Sequence, residues 1–336
     1  MRTEFHTGEN DGSGPLYPPL DPFCSGWLAA GHGHEVHHEQ SGNPDGLPAL
    51  VLHGGPGSGS NPQHRRFFDP RRYRIVQFDQ RGTGRSRPSG STEHNHTALL
   101  LEDIEALREH LGIGRWLVFG GSWGASLALA YSARHRQSCL GVLLRGMFLT
   151  GRADMDWFFR DAGALAPEAW QRLASLAPKR HRRNLLYWYG RVLTGTDETR
   201  ALLAAHEWSQ WECSLMSGGR PADETPPPDG EVAARLVRKF RIQAHYMRRE
   251  CWLGEAALLR AASLLHGVPT LLVHGRRDLI CRPANAWRVH RTLAGSRLVW
   301  VDAAGHDPLH PAMAAALVAA TDGFARHGDF RGGDAQ

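Results

Sequence analysis

Short apolar runs alternate with longer amphipathic stretches in two separated parts of this chain. The runs are bounded by glycine or aspartate, as expected for buried strands. They occupy residues 49–52, 73–78, 116–119, 140–144, 268–274 and 298–301, and two β-like stretches precede them at 26–30 and 35–40. Apolar residues recur at helical spacing between them, which predicts helices over 97–111, 123–135, 283–293 and 311–326. This alternation predicts an α/β fold with a mostly parallel, doubly wound sheet.

The strand pattern stops between residues 149 and 266. Helical patterns dominate there, and six tryptophans fall in this stretch: Trp157, Trp170, Trp188, Trp208, Trp211 and Trp252. We therefore predict a helical cap inserted into the α/β core. The predicted division is an N-terminal arm over 1–25, a core over 26–148 and 267–327, the cap over 149–266 and a flexible tail over 328–336.

The sharpest chemical signal is the segment Gly120-Gly121-Ser122-Trp123-Gly124. It lies where a predicted strand ends and a predicted helix begins, which is the context that a G-x-S-x-G nucleophile elbow requires. Such a turn lifts the serine hydroxyl clear of the sheet, and the glycines leave room for the neighbouring backbone. Ser122 is therefore the candidate nucleophile.

A serine needs a neutral imidazole to accept its proton and a carboxylate to orient that imidazole. Asp278 follows the predicted strand 268–274 on a turn, and His306 follows the strand 298–301. The chain order Ser122, Asp278, His306 is that of α/β-hydrolases. Asp302 and Asp307 are rival carboxylates, but Asp278 alone follows a strand on a turn.

Two backbone amides are candidates for an oxyanion hole. The segment 53–57, H-G-G-P-G, follows an early strand, and the equivalent loop of α/β-hydrolases contributes such an amide. The predicted donors are the N–H groups of Gly55 and Trp123. Two amides directed at the developing oxyanion stabilise it by several kcal/mol.

Residues 34–38, H-E-V-H-H, match the H-E-x-x-H zinc pattern. That pattern requires a helix, which places both histidines on one face. Here the stretch alternates like a strand, and residues three apart in a strand point to opposite faces. We therefore predict no metal site.

Composition removes several function classes. The net charge is +5, but lysine occurs only at Lys179 and Lys239, and no basic motif typical of a nucleic-acid module is present. No run of about 18 apolar residues predicts a membrane span, and residues 1–14 lack the apolar stretch of a secretory signal. The five cysteines are scattered, which favours reduced thiols in a cytoplasm. We expect no nucleic-acid or membrane partner, and the sequence predicts no particular oligomeric state.

Together these residues resemble the prolyl aminopeptidases (proline iminopeptidases) of bacteria, over nearly the whole chain. The segments that carry the resemblance are 53–57 (H-G-G-P-G), 65–70 (R-R-F-F-D-P), 79–86 (D-Q-R-G-T-G-R-S), 120–124 (G-G-S-W-G), 144–148 (L-R-G-M-F) and 208–212 (W-S-Q-W-E). The family removes an N-terminal proline from peptides with this triad. The resemblance thus implies the α/β-hydrolase fold, small peptide substrates and no cofactor.

The resemblance also implies how the substrate is bound. A carboxylate above the nucleophile recognises the cationic N-terminus by a charge-assisted hydrogen bond, and Glu212 is the candidate. Phe148, together with Trp123, would form an apolar slot for the pyrrolidine ring, and Arg145 would support the site. The family usually carries a second glutamate where this chain has Gln243.

Two further departures concern Phe158, where the family has an aromatic with a hydroxyl, and Cys213, where it has glycine. We expect the chemistry to be retained while selectivity for a charged N-terminus is relaxed or shifted. An esterase, a lactonase or an amino-acid amidase on the same triad stays an alternative, as does a binding protein that keeps the pocket. A dehalogenase or epoxide hydrolase is disfavoured, since those enzymes need a carboxylate in place of Ser122.

Overall fold

A computed structural model of the chain describes residues 14–223 and 225–330. The described residues form one eight-stranded sheet. Its strands are β1 (Pro22–Gly31), β2 (His34–Gly42), β3 (Leu47–Leu52), β4 (Tyr73–Phe78), β5 (Trp116–Gly121), β6 (Cys139–Arg145), β7 (Thr270–Gly275) and β8 (Arg297–Val301). The helices are α1 (Thr97–His110), α2 (Trp123–Arg134), α3 (Arg152–Phe159), α4 (Pro167–Ser175), α5 (Leu185–Leu193), α6 (Glu198–Met216), α7 (Gly230–Met247), α8 (Gly254–Leu264), α9 (Pro283–Thr292) and α10 (Pro311–His327).

The strand order across the sheet is β1-β2-β4-β3-β5-β6-β7-β8. The pairs β1–β2 and β2–β4 are antiparallel, and every later pair is parallel. The predicted mostly parallel sheet is thereby confirmed. Because β3 to β8 run in one direction, their carboxyl ends meet along one edge of the sheet, where open α/β sheets place their sites.

Apolar side chains are buried on both faces of the sheet. One cluster joins β5 and β6 to α1 and α2 and continues into the helices between β6 and β7. The second cluster lies between the other face and α10, where Phe119 and Leu143 of the sheet pack near Leu317 and Phe324. Burial on both faces explains why these strands are near-continuous apolar runs rather than alternating ones.

Two boundaries predicted from the sequence need correction. The arm predicted over 1–25 is too long, because β1 begins at Pro22. The sequence hides this start because β1 is an edge strand with mostly exposed or half-buried residues, so no apolar run marks it. The tail predicted over 328–336 also begins too early, since Phe330 is buried with its ring 4.9 Å from Phe324. Residues 1–13 and 331–336 lie outside the described residues.

All regular elements that the structure describes between β6 and β7 are helical. Helices α4 to α7 pack mainly on one another, whereas α8 packs against α2 and α9, which flank the sheet. We therefore propose that the cap ends before α8 rather than at residue 266. An amphipathic pattern predicts the helix but not the layer to which it belongs. None of the helices in the described part of the chain is long and apolar enough to cross a membrane.

Candidate active site

Ser122 occupies a sharp turn between β5 and α2. Its backbone has φ 59° and ψ −124°, a sparsely populated conformation for a residue with a side chain. The flanking glycines permit this turn. A Cβ atom on Gly120 would lie 2.0 Å from the carbonyl oxygen of Gly124, and one on Gly124 would lie 2.2 Å from that of Leu52. The turn therefore forms only with glycine at these positions, and it presents the half-buried Ser122 hydroxyl at the carboxyl edge of the sheet.

The structure brings Ser122, His306 and Asp278 into one hydrogen-bonded chain. The Ser122 Oγ lies 3.1 Å from His306 Nε2, and His306 Nδ1 lies 2.7 Å from Asp278 Oδ2. The rival carboxylates are engaged elsewhere. Asp302 is exposed and pairs with Arg276, and Asp307 accepts the N–H of Leu309.

Asp278 is buried, and its second oxygen is also fixed. Its Oδ1 accepts the backbone N–H groups of Ile280 at 2.9 Å and Cys281 at 2.8 Å. Burial alone would raise the pKa of this carboxyl, but the adjacent His306 and these hydrogen bonds hold the pKa below its usual value. The group therefore stays a carboxylate and orients the imidazole so that Nε2 faces Ser122.

The loop that carries Gly55 lies directly against the nucleophile. A Cβ atom on the preceding residue, Gly54, would lie 3.3 Å from Ser122 Cβ. Among the described residues, no acceptor is bonded to the backbone N–H of Gly55 or of Trp123. Both amides are thus free to donate to a ligand, as an oxyanion hole requires.

Gln80 connects this loop to the helix that follows Ser122. Its side-chain oxygen accepts the indole N–H of Trp123 at 2.9 Å, and its side-chain amide donates to the His53 carbonyl at 2.9 Å. Its backbone N–H donates to His53 Nε2 at 3.0 Å. Because Nε2 accepts, the proton of the neutral His53 ring is on Nδ1, which donates to the Gly54 carbonyl at 2.9 Å.

The segment 79–86 also holds the chain that follows the Gly55 loop. Asp79 Oδ1 accepts the N–H of Ser60 at 2.6 Å, and its Oδ2 accepts the N–H of Arg85 at 2.9 Å. A Cβ atom on Gly84 would lie 2.4 Å from the Asp79 carboxyl carbon. Glycine is therefore needed at position 84 if Asp79 is to accept both backbone N–H groups.

The residues predicted to bind substrate fall into two places. Arg145 is buried at the end of β6 and donates to the His306 carbonyl at 2.8 Å, so it contacts the loop that carries His306. Phe148 is buried in the cluster beneath the cap, and its carbonyl accepts the Ser126 hydroxyl. Glu212 on α6 and Gln243 on α7 are brought together, since the Gln243 amide donates to Glu212 Oε1.

A cavity of about 750 Å³ opens beside this site. It lies between the segment 19–22, the loop 58–60 and the Arg235 and Arg238 side chains of α7. None of the three side chains of the hydrogen-bonded chain lines it. The cavity is therefore separate from the Ser122 hydroxyl.

Comparison with known proteins agrees with the geometry of the site. The family model of the alpha/beta hydrolase fold matches residues 48–311. The proline iminopeptidase of Xylella fastidiosa (strain 9a5c) is 41% identical over 314 residues, covering 92% of this chain and 99% of that protein. The proline iminopeptidase of Arabidopsis thaliana is 41% identical, covering 91% of this chain and 81% of that protein. The chain belongs to the proline iminopeptidase family.

A solved structure extends the likeness in fold. The proline iminopeptidase of Mycobacterium smegmatis superimposes with a TM-score of 0.62 at 18% identity, covering 91% of this chain and 99% of that one. At this identity the likeness shows the shared fold alone. Membership of the proline iminopeptidase family confirms the resemblance that the sequence segments carry.

The residues that depart from the family segments lie in the cap. Phe158 is buried against the indole of Trp211, which donates to the Phe158 carbonyl at 3.1 Å. Cys213 is exposed on α6. Gln243 is buried, with only 3% of its surface exposed. Of the three departures, Gln243 alone contacts the Glu212 carboxylate.

Sequence reasoning missed three residues of this proline iminopeptidase site. Lys239 donates to Glu212 at 3.1 Å, and its spacing of four from Gln243 within the predicted helical cap was an available signal. Gln80 lies in the family segment 79–86, but the sequence analysis assigns it no role. Cys281 Sγ lies 3.8 Å from Ser122 Oγ, but burial raises the pKa of its thiol, so it stays protonated and is no rival nucleophile.

Residues 34–38, with the zinc-like pattern, form strand β2 rather than a helix. His34 contacts the Glu93 carbonyl at 2.9 Å, His37 packs edge-on against Trp27 and His38 faces His110. The histidines thus point into different surroundings, and the helical geometry that the pattern requires is absent from this segment.

Proposed function

We propose that this chain is a serine exopeptidase that releases an N-terminal proline from small peptides through an acyl-enzyme. The observation that carries the proposal is the hydrogen-bonded chain from Ser122 through His306 to Asp278. It occurs in a chain that shares about two fifths of its residues with proline iminopeptidases over nine tenths of its length. No cofactor takes part in the proposed reaction.

The reaction begins with attack of Ser122 Oγ on the carbonyl carbon of the N-terminal residue. His306 Nε2 accepts the hydroxyl proton, and Asp278 stabilises the resulting imidazolium. The N–H groups of Gly55 and Trp123 donate to the oxyanion of the tetrahedral intermediate. His306 then gives its proton to the leaving amine, which departs with the rest of the peptide.

Water completes the reaction. His306 takes a proton from water, the hydroxide attacks the ester carbonyl, and Ser122 leaves with the proton returned by His306. The products are free proline and a peptide one residue shorter. Arg145 acts in this scheme as a positioning residue, because it donates to the His306 carbonyl and fixes the loop from which the imidazole projects.

The cap, together with Phe148 beneath it, supplies the binding of the N-terminal residue. Glu212 and Gln243 provide polar groups for the amine, and Phe148 provides apolar surface for the ring. We place the reaction in the cytoplasm. The five cysteines are unpaired thiols, which is the usual state in a reducing compartment.

The experiment combines active-site labelling with turnover. A fluorophosphonate should label the native chain, and prolyl arylamide should be hydrolysed. The Ser122→Ala variant should lose both, while Ser132→Ala, a buried serine ten residues further along α2, should keep both. Labelling of Ser122 without hydrolysis of prolyl arylamide would contradict the exopeptidase function, and absence of labelling would contradict the nucleophile.

A further inference from the structure

Glu212 already has a cation beside it. Its Oε2 accepts from the Lys239 ammonium at 3.1 Å, and its Oε1 accepts from the Gln243 amide. Lys239 and Gln243 are one helical turn apart on α7, so both face α6. Both oxygens of the carboxylate that would recognise a charged amine are therefore engaged from within the chain.

Gln243 has one polar atom without a partner. An ionised Glu212 can only accept hydrogen bonds, so the NH₂ group of Gln243 must face it. The amide oxygen then points away, and no described residue donates to it although the side chain is only 3% exposed. A buried polar atom without a partner destabilises the fold, and a ligand N–H that bound there would recover this cost.

This oxygen belongs to a helix that packs against neighbours of the nucleophile. A Cβ atom on Gly57, in the loop that carries Gly55, would lie 2.4 Å from the Lys239 carbonyl and 3.3 Å from Ile242 Cβ. One turn further along α7, the Tyr246 ring is centred 5.4 Å from that of Trp123. Gln243 thus lies between two points at which α7 contacts the neighbours of Ser122.

The charges of the group balance. Glu212 contributes −1, Lys239 contributes +1 and Gln243 contributes none. A cationic amine therefore meets a carboxylate that is already neutralised, and it gains less than it would from a free one. Either a cationic or an uncharged N–H can donate to the Gln243 oxygen. The Lys239 ammonium has further N–H groups, which can donate to an acceptor next to that ligand N–H.

We propose, on the basis of the function proposed above, that this site also takes an uncharged five-membered ring that carries an N–H beside a carbonyl. A pyroglutamyl N-terminus has this chemistry. Its lactam N–H donates to the Gln243 oxygen, and its lactam oxygen accepts from Lys239. Ser122 attacks the exocyclic carbonyl as it does in a prolyl substrate, so the bonds that form and break are unchanged.

The test uses three arylamides with one leaving group: prolyl, pyroglutamyl and cyclopentanecarbonyl. The last has the ring but no N–H. We expect kcat/KM for the pyroglutamyl compound to lie within about tenfold of that for the prolyl compound. The cyclopentanecarbonyl compound should be about 10–100-fold poorer than either, since it leaves the Gln243 oxygen unpaired.

Two variants separate the groups. Lys239→Met should lower the pyroglutamyl-to-prolyl ratio of kcat/KM at least tenfold, because it removes the donor to the lactam oxygen and leaves Glu212 free to bind a cationic amine. Gln243→Glu should raise the prolyl-to-pyroglutamyl ratio at least tenfold, since a second carboxylate favours a cation. Lys179→Met changes the other lysine of the chain, which is exposed in a 3-10 helix of the cap, and should leave the ratio unchanged.

Hydrolysis of the prolyl compound with no detectable hydrolysis of the pyroglutamyl one would overturn this inference and leave the proposed function intact. A Lys239→Met ratio equal to that of Lys179→Met would also overturn it. Failure on all three compounds with Ser122 still labelled would instead contradict the proposed exopeptidase function.

Discussion

The edge of the sheet and the cap form the two sides of this site, and they are built differently. On the sheet side, Ser122, His306 and Asp278 are joined in one chain of hydrogen bonds, and their positions are set by strand ends and by glycines that admit no side chain. On the cap side, Glu212 and Gln243 come from two helices that pack on each other, and the Gln243 oxygen has no partner among the described residues.

The difference separates chemistry from selectivity. A change on the sheet side breaks a chain whose members depend on one another, so its effect on the rate is large. A change on the cap side alters which N-terminal group is stabilised and leaves the attacking group in place. A change in the cap can thus alter selectivity while the sheet side is kept, as at Gln243, where the family resemblance implies a second glutamate.

The largest effect is expected from Asp278→Asn. The asparagine can keep the two backbone N–H groups on its oxygen, but its NH₂ would then face His306 Nδ1. This imposes the tautomer in which Nε2 carries the proton and cannot accept that of Ser122. We expect kcat for prolyl arylamide to fall by about 10³–10⁴-fold.

The matched control for that experiment is Asp302→Asn. Asp302 is an exposed carboxylate whose pairing with Arg276 contributes little, so kcat should change less than about twofold. A loss of less than tenfold in Asp278→Asn would show that the sheet side is not the interdependent chain described above.

A smaller effect is expected from Gln80→Leu, which tests whether the two proposed oxyanion donors, the N–H groups of Gly55 and Trp123, are positioned together. The change removes the bonds to the Trp123 indole and to the His53 carbonyl. Loss of one oxyanion donor costs about 10²–10³-fold in kcat, and Gln80 acts through its neighbours, so we expect about 10–100-fold with KM nearly unchanged.

Gln77→Leu is the control for Gln80→Leu. Gln77 is equally buried near the end of β4, but it contacts Arg65 and the Asn61 carbonyl rather than the loop that carries Gly55. Both variants should lower the thermal midpoint, and only Gln80→Leu should lower kcat. Equal kcat values for the two variants would show that Gln80 stabilises the fold but does not position the proposed oxyanion donors.

The sheet side was the more predictable of the two from sequence. Apolar runs bounded by glycine gave strands within one or two residues of those observed for β3 to β8, because burial on both faces leaves an unmistakable pattern. Once the strands are parallel, residues at their carboxyl ends must meet. The positions of Ser122, Asp278 and His306 could therefore be inferred from residues far apart in the chain.

The cap was less predictable because its contacts arise between helices. The pattern predicts that residues 149–266 are mostly helical, but not the bounds of each helix or the rotation of one helix against another. The pairing of Lys239 with Glu212 depends on that rotation, as does the unpaired oxygen of Gln243. The edge strand β1 was also poorly bounded, because half-exposed strands carry no apolar run.

The smallest effect is expected on the stability of the fold at acid pH. The sheet, like the cap, contains buried polar atoms without a partner in the described part of the chain. His38 on β2 is buried over Gly26, and neither ring nitrogen has a partner among the described residues. Burial, and then the neighbouring His110 and His37, lower the pKa of His38 to about 4, from 6.5. Between these pH values the unfolded chain binds a proton that the folded chain does not.

The fold should therefore lose stability as the pH falls from about 6.5 to 4, and part of that loss belongs to His38. His38→Leu has no proton to bind and no nitrogen to leave unpaired, so its thermal midpoint should fall less over this range, by a few degrees at roughly 2–4 °C per kcal/mol. The exposed His327→Leu should follow the unmodified chain. If the thermal midpoints of His38→Leu and the unmodified chain fell in parallel with pH, the His38 imidazole would bind its proton equally well in the folded and unfolded states. Burial would then not lower its pKa.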